Sequence, residues 1–384
     1  MESNKRPRRA EQEDSPPANE ALTTPGLFTP VRTETPPVPS FRGSSFETQS
    51  QRTATPSYSF NASQVTSSSK DPLSIVTSRQ RLQLNGVESV RWSQVPSALK
   101  ACIDAILFPK DDTANRDSAD PQEPAERTRI PPSDWRVAAE ARAAKILEIT
   151  EAEELSEMDL LTSVMVQAFP IVPLLQKVAD HRFRPNLVPS LRPADRPPSM
   201  WPSISTPQAD GLLGYVYNTQ LVEMITILDG NNHALTEALL PAARLFCPQI
   251  AIEFKSSAKK GTITQGFSQN IGAMAALSRS LSRLIQSALP DQQATLSEDL
   301  KQCLVFGFVI NETTAYTTAL WKTNDADETY NYTRIDGFML FDTEPMVAFL
   351  QRIDYLQNWM IKRRPSIIAT VQSLRDRIMA NVTA

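Results

Sequence analysis

Residues 303–310, Cys-Leu-Val-Phe-Gly-Phe-Val-Ile, run without a single charge. A stretch this short and this rich in β-branched and aromatic side chains reads as a buried strand, because a helix of that composition would need greater length. It commits this part of the chain to a packed sheet. Residues 314–322 (Thr-Ala-Tyr-Thr-Thr-Ala-Leu-Trp-Lys) follow as a second strand across a tight Asn311-Glu312 turn, and 329–341 extend the sheet. Gly211 to Tyr217 and the run 248–255 (Pro-Gln-Ile-Ala-Ile-Glu-Phe-Lys) supply further strands. Helical spacing covers 93–108, 135–147, 157–169, 219–229, 234–245 and 265–289, with Pro170 and Pro173 breaking the third of these. Two terminal helices, 345–361 and 365–380, close the chain. The predicted fold is α/β (α+β), a mixed central sheet flanked by helices.

The start of the chain is different material. Residues 1–72 are crowded with Ser, Thr and Pro and poor in aliphatic side chains, so they cannot bury enough apolar surface to offset their ordering entropy. A disordered N-terminal tail is expected. It contains Lys5-Arg6-Pro7-Arg8-Arg9, which reads as a nuclear localisation signal or as a solvated charge run. Thr-Pro pairs at Thr24, Thr29, Thr35 and Thr55 are potential acceptors for proline-directed kinases, although such pairs also arise from composition alone. Residues 73–180 form a helical N-terminal part with an exposed loop at 109–134. Residues 181–384 form the α/β core with its C-terminal helices. Within the core, 182–207, which hold Arg182, Arg184, Arg192 and Arg196, are expected to be irregular.

Several function classes drop out. The 11 glycines never form a dinucleotide or P-loop fingerprint. The two histidines, His181 and His233, have no metal-ligand neighbour at useful spacing, which disfavours zinc sites and His-based nucleases. Three isolated cysteines, Cys102, Cys247 and Cys303, read as reduced core residues of an intracellular protein. With neither an N-terminal apolar segment nor a run long enough to span a bilayer, a membrane partner is not expected. A formal net charge of −4 argues against strong non-specific DNA binding, so nucleic acid would need a local basic face. Lys362-Arg363-Arg364 is one candidate for phosphate neutralisation, or else for complementing a helix dipole.

The stretch that points to chemistry is Ile250 to Ser256. Alternation along a strand puts Glu253 and Lys255 on one face, with Ile252 and Phe254 on the other. Charges inside an apolar strand are costly unless they serve a site. A carboxylate and an ammonium at a strand exit suit metal-dependent phosphodiester hydrolysis, the acid binding Mg²⁺ (or Mn²⁺) and the lysine helping the attacking water. Asp210, ahead of the Gly-Leu-Leu-Gly-Tyr strand, is placed to supply the second carboxylate. The alternative is an edge strand with Glu253 and Lys255 facing solvent as gatekeepers. Asp299-Leu300-Lys301 has the same spacing but lies on a polar segment ahead of a strand.

The pattern Pro207-x-x-Asp210-Gly211 … Ile252-Glu253-Phe254-Lys255, followed by a helix with Gln265 and Gln269, resembles the PD-(D/E)xK nuclease superfamily. The stretch 205–361 also resembles an uncharacterised domain common in fungal proteins. The resemblance implies a restriction-endonuclease-like fold and a nucleic-acid partner, DNA ahead of RNA. It implies Asp210, Glu253 and the Phe254 carbonyl as metal ligands, Lys255 as the catalytic lysine, and Gln265 and Gln269 as helix-borne additions. Here Pro207 and Asp210 are separated by Gln208-Ala209, whereas the family pattern has them adjacent. A first-helix acid is unassigned, with Glu153, Glu154 and Glu157 as candidates. Three functions stay open: a Mg²⁺-dependent nuclease, a binding module that keeps the fold without turnover, and a nuclear interaction protein whose tail does the work.

Overall fold

The computed structural model describes residues 77–109, 134–151 and most of 174–383; within the last stretch, parts of 184–200 and the short segments 217–218, 232, 241–244, 256–261, 290–295 and 324–327 are not described. The tail with its basic cluster and Thr-Pro pairs, the loop at 109–134 apart from its two end residues, the expected helix 157–169 and the acids Glu153, Glu154 and Glu157 lie outside the described residues.

The described strands build one seven-stranded sheet. They are β1 (Val87–Ser89), β2 (Leu175–Arg182), β3 (Gln208–Val216), β4 (Leu245–Phe254), β5 (Val305–Ile310), β6 (Thr314–Lys322) and β7 (Tyr330–Met339). Their spatial order is β1-β7-β6-β5-β4-β3-β2. Pairing is parallel for β4 with β5 and for β1 with β7, and antiparallel elsewhere. The fold is therefore α+β around a mixed sheet with helices on both sides. The described α-helices are α1 (Ser78–Leu84), α2 (Ser97–Leu107), α3 (Trp135–Glu151), α4 (Thr219–Asn231), α5 (His233–Leu239), α6 (Ile263–Ala288), the short α7 (Glu298–Lys301) and α8 (Thr343–Thr383). Parallel strands need a crossover, and α6 provides it between β4 and β5.

The sheet divides two apolar layers. Ile250, Ile252, Phe254, Phe306, Phe308 and Trp321 face a layer closed by α2, α3, α4 and α8. Ala251, Val305 and Leu320 face the other, closed by the middle of α6 with Ile271, Met274 and Leu277. Every residue of β4 and of β5 is buried. Helix α6 lies unusually close to the strands: a Cβ at Gly307 would meet Asn270 Oδ1 at 2.1 Å and Met274 Sδ at 2.4 Å. From that position the Asn270 amide donates to the carbonyls of Ala251 (3.0 Å) and Phe308 (3.2 Å), tying helix to sheet.

Several expectations change. Strand β2 at 175–182 falls in the part expected to be helical: its sequence, Leu-Gln-Lys-Val-Ala-Asp-His-Arg, has no apolar–polar alternation to mark a strand. The expected helix 234–245 ends at Leu239, and Leu245 already opens β4. Around Cys247, whose φ is 43°, β4 shifts its register against β3 between Leu213 and Tyr215. Cys247 and Cys303 are buried free thiols, while Cys102 is only half-buried; burial raises the Cys247 pKa to about 12.

The two terminal helices are one, running through Pro365. Arg363, expected to meet phosphate or a helix end, is instead buried in mid-helix. Its guanidinium donates to Gln249 Oε1, to the Leu304 carbonyl and to the Asp299 carbonyl, each at 2.8 Å, and pairs with the Asp299 carboxylate at 3.0 Å. Trp359 Nε1 donates to the same carboxylate, and Gln249 links onward to the Tyr215 hydroxyl, which donates to the Met360 carbonyl. Asp299 of the second Asp-x-Lys motif is thus an anchor for α8. This network before Pro365, and the burial of Ile367, Val371 and Leu374 after it, outweigh the one helical hydrogen bond that a proline removes.

Replacing Arg363 by Ala leaves Asp299 buried without its counter-charge. The expected loss is about 3–5 kcal/mol of unfolding free energy, measurable as a lower urea midpoint at unchanged slope. Arg363→Lys is expected to recover little of it, since one ammonium cannot reproduce a planar fork with several acceptors.

Candidate active site

The C-terminal ends of β4 and β5, the first residues of β3 and the first two turns of α6 converge at one place. Strand β4 is interior, fifth of seven, which removes the edge-strand reading of Glu253 and Lys255. Their side chains do share a face, the one covered by α6. They do not stand at a solvent-open strand end: Glu253 is 1% and Lys255 7% exposed. Lys255 Nζ lies 2.6 Å from Glu253 Oε1. In the folded protein the ammonium therefore supplies the charge that keeps a buried carboxylate tolerable.

Two features of α6 build the lid over this pair. Thr262 caps the helix by accepting from Gln265 N. Gly266, in the first turn, leaves the space that Lys255 fills; a Cβ there would meet Lys255 Cγ at 2.8 Å and Val309 Cγ1 at 2.9 Å. Any larger residue would push either the helix or the lysine away. Gln265 and Gln269 flank Gly266 on the helix. Gln265 is exposed, whereas Gln269 is half-buried and its Oε1 is enclosed without a hydrogen-bond donor among the described residues.

Asp210 joins from the neighbouring strand. The ladder between β3 and β4 ends with Gly211 opposite Ile252, so one step further Asp210 comes opposite Glu253. Its Oδ2 accepts from the Phe254 main-chain N–H at 2.7 Å. The N–H and C=O of one strand residue project toward the same neighbour, so the Phe254 carbonyl also projects to the Asp210 side. Asp210, Glu253, Lys255 and the Phe254 carbonyl thereby lie at the adjoining ends of β3 and β4. Among the described residues no group of three or more His, Cys, Asp or Glu is gathered to hold a metal ion. A hard cation at this place would take two carboxylates and complete its shell with main-chain or amide oxygens and water, a donor set suited to Mg²⁺.

Sequence spacing alone did not reveal Gly266 or the enclosure of the pair. The signal for Gly266 was available as a glycine in the first turn of an otherwise strong helix, where glycine is otherwise a cost. His181 and His233 lie on β2 and at the start of α5. No described helix is long and apolar enough to cross a membrane.

Burial also changes what mutation of the pair should do. An open strand end would have tolerated substitution; here Glu253→Gln or Lys255→Met strands one buried charge, and each is expected to cost about 3–5 kcal/mol. The double variant, with no charge left to strand, is expected to regain most of the loss. A double-mutant cycle by denaturant unfolding checks this, and additive losses would show that the two side chains do not depend on each other.

No curated protein and no solved structure matches the chain. A family described as a domain of unknown function (DUF7924) matches residues 173–371, from the residues just before β2 to well inside α8. That span takes in β2 to β7, α6 and every residue of the candidate site. As it covers over half of the 384 residues, the chain belongs to this family.

Proposed function

We propose that the protein is a metal-dependent nuclease of the PD-(D/E)xK type, hydrolysing phosphodiester bonds in nucleic acid, DNA before RNA. The observation that carries this reading is the meeting of Asp210 with the Glu253-Phe254-Lys255 strand end, beneath the helix whose first turn sets Gly266 over Lys255. Asp210, Glu253 and the Phe254 carbonyl would hold Mg²⁺ or Mn²⁺. Such an ion, when bound, lowers the pKa of water and screens phosphodiester charge. Lys255, whose ammonium stands at the Glu253 carboxylate, would place a positive charge beside the charge that develops on the phosphorus oxygens. Asp210 fixes the Phe254 backbone by accepting its main-chain N–H at the strand end that carries Glu253.

One observation favours a second reading. The Glu253–Lys255 pair is already closed at 2.6 Å and buried, which is what a binding module that keeps the fold without turnover would look like. Metal binding separates the two. Mn²⁺ is expected to raise the melting temperature of the wild type and of Lys255→Met, and to leave that of Glu253→Gln unmoved. With plasmid and single-stranded substrates, Lys255→Met is expected to lower the cleavage rate by roughly a hundredfold or more, while Glu253→Gln abolishes it. Cleavage that survives Glu253→Gln, or a wild type that neither cuts nor responds to Mn²⁺, removes the enzyme reading.

We also propose that the Lys5–Arg9 cluster directs the chain to the nucleus and that the Thr-Pro pairs are sites for proline-directed kinases. Deleting residues 1–10 from a fluorescent fusion is expected to shift it toward the cytoplasm. An unchanged nuclear signal would retire the cluster as an address.

A further inference from the structure

The row of residues that contains Glu253 continues across the sheet. Glu253 pairs with Val309 on β5, Val309 with Tyr316 on β6, and Tyr316 with Gly337 on β7. Directly paired residues share a face, so Tyr316 lies on the α6 side, two strands from Glu253 and roughly 10 Å away at the usual strand spacing. The first turns of α6 bridge this row. Gly266 sits over Lys255 and Val309, and the next residue, Phe267, places its ring 5.3 Å from that of Tyr316. On the other side the Arg334 guanidinium lies 5.3 Å from the Tyr316 ring centroid. Gly337 makes room for this arrangement: a Cβ there would come within 2.9 Å of the Tyr316 ring.

The result is an unusual surface. Phe267 and Tyr316 are half-buried and Arg334 is exposed, so two aromatic rings and a cation are partly open to solvent beside the candidate site. Arg334 forms no ion pair among the described residues; its contact is the tyrosine ring. The nearest carboxylate on β7, Asp336, pairs instead with Arg352 and lies opposite Thr317, whose position on β6 puts it on the other face of the sheet. Aromatic faces with an uncompensated guanidinium recognise flat π systems that carry negative charge, and unpaired nucleotides join both properties. A base stacked in a duplex presents no free face to such a surface. A protein surface could use the same aromatic patch, yet would not account for its alignment with Glu253 along one row.

We propose that Phe267, Tyr316 and Arg334 form a stacking platform for unpaired nucleotides, and that the substrate class of the site is single-stranded nucleic acid. The inference about substrate rests on the nuclease reading; the platform itself is testable without it. The experiment uses the full chain in EDTA, where nothing is cut, with a labelled oligothymidylate and a duplex of equal length followed by fluorescence anisotropy. Tighter binding of the single strand is expected. Arg334→Ala and Phe267→Leu are each expected to weaken it by about five- to a hundredfold, the scale of one lost base–aromatic stack. Arg334 is exposed, so its variant should melt as the wild type does, which keeps the test independent of folding. Equal affinity for duplex, or single-strand affinity unmoved by both variants, overturns the platform. Mg²⁺-dependent cleavage without preference for single strands would overturn it while leaving the nuclease reading in place. Single-strand binding through these residues in a protein that never cuts would uphold the platform and end the nuclease reading.

Discussion

A sheet buried on both faces leaves no water to satisfy a polar group, and this constraint organises the molecule. Strands β4 and β5 have no exposed residue. Each charge that enters their layers must bring its own partner, because an unpaired buried ion costs several kcal/mol. The two faces meet the demand differently. On the α8 side, Arg363 distributes one guanidinium over Asp299, Gln249 and two carbonyls, a network with a purely architectural result: it fixes a long helix to the sheet. On the α6 side, Glu253 near the end of β4 and Lys255 just beyond it neutralise each other.

The second arrangement depends on close approach. Asn270 reaches two strand carbonyls because Gly307 gives it room, and Gly266 accepts the Lys255 stem for the same reason one turn earlier. A helix held at that distance sets Gly266 against Lys255 and Phe267 on Tyr316. The same packing therefore produces a buried charge pair and, two strands away, a partly open aromatic surface. Physical economy of this kind explains why the candidate site and the candidate platform share a row of the sheet.

The extent of the family match fits this geometry. It starts just before β2 and reaches into α8, so it contains the site, the helix that encloses it and the Arg363 network. Strand β1 lies before it, yet β1 pairs with β7 and fills the sheet's far edge. A three-residue edge strand offers few unpaired main-chain groups, which protects that edge from pairing with other chains.

Local sequence determined much of this. The apolar run 303–310 marked β5, the residues 314–322 marked β6, and alternation put Glu253 and Lys255 on one side of their strand. Those features depend on periodicity, which a single strand or helix expresses by itself. Tertiary structure decided the rest. Whether Glu253 and Lys255 meet water depended on how closely α6 could pack, and that rested on glycines at 266 and 307, whose value lies in what faces them. Whether Pro365 ended a helix depended on what held its two halves, and Arg363 looked like a surface charge until Asp299 arrived from another part of the chain. Strand β2 was invisible for a similar reason: its sequence is ambiguous alone, and its pairing with β3 makes it a strand. Periodicity is a property of neighbours along the chain, whereas burial and charge pairing belong to neighbours in space.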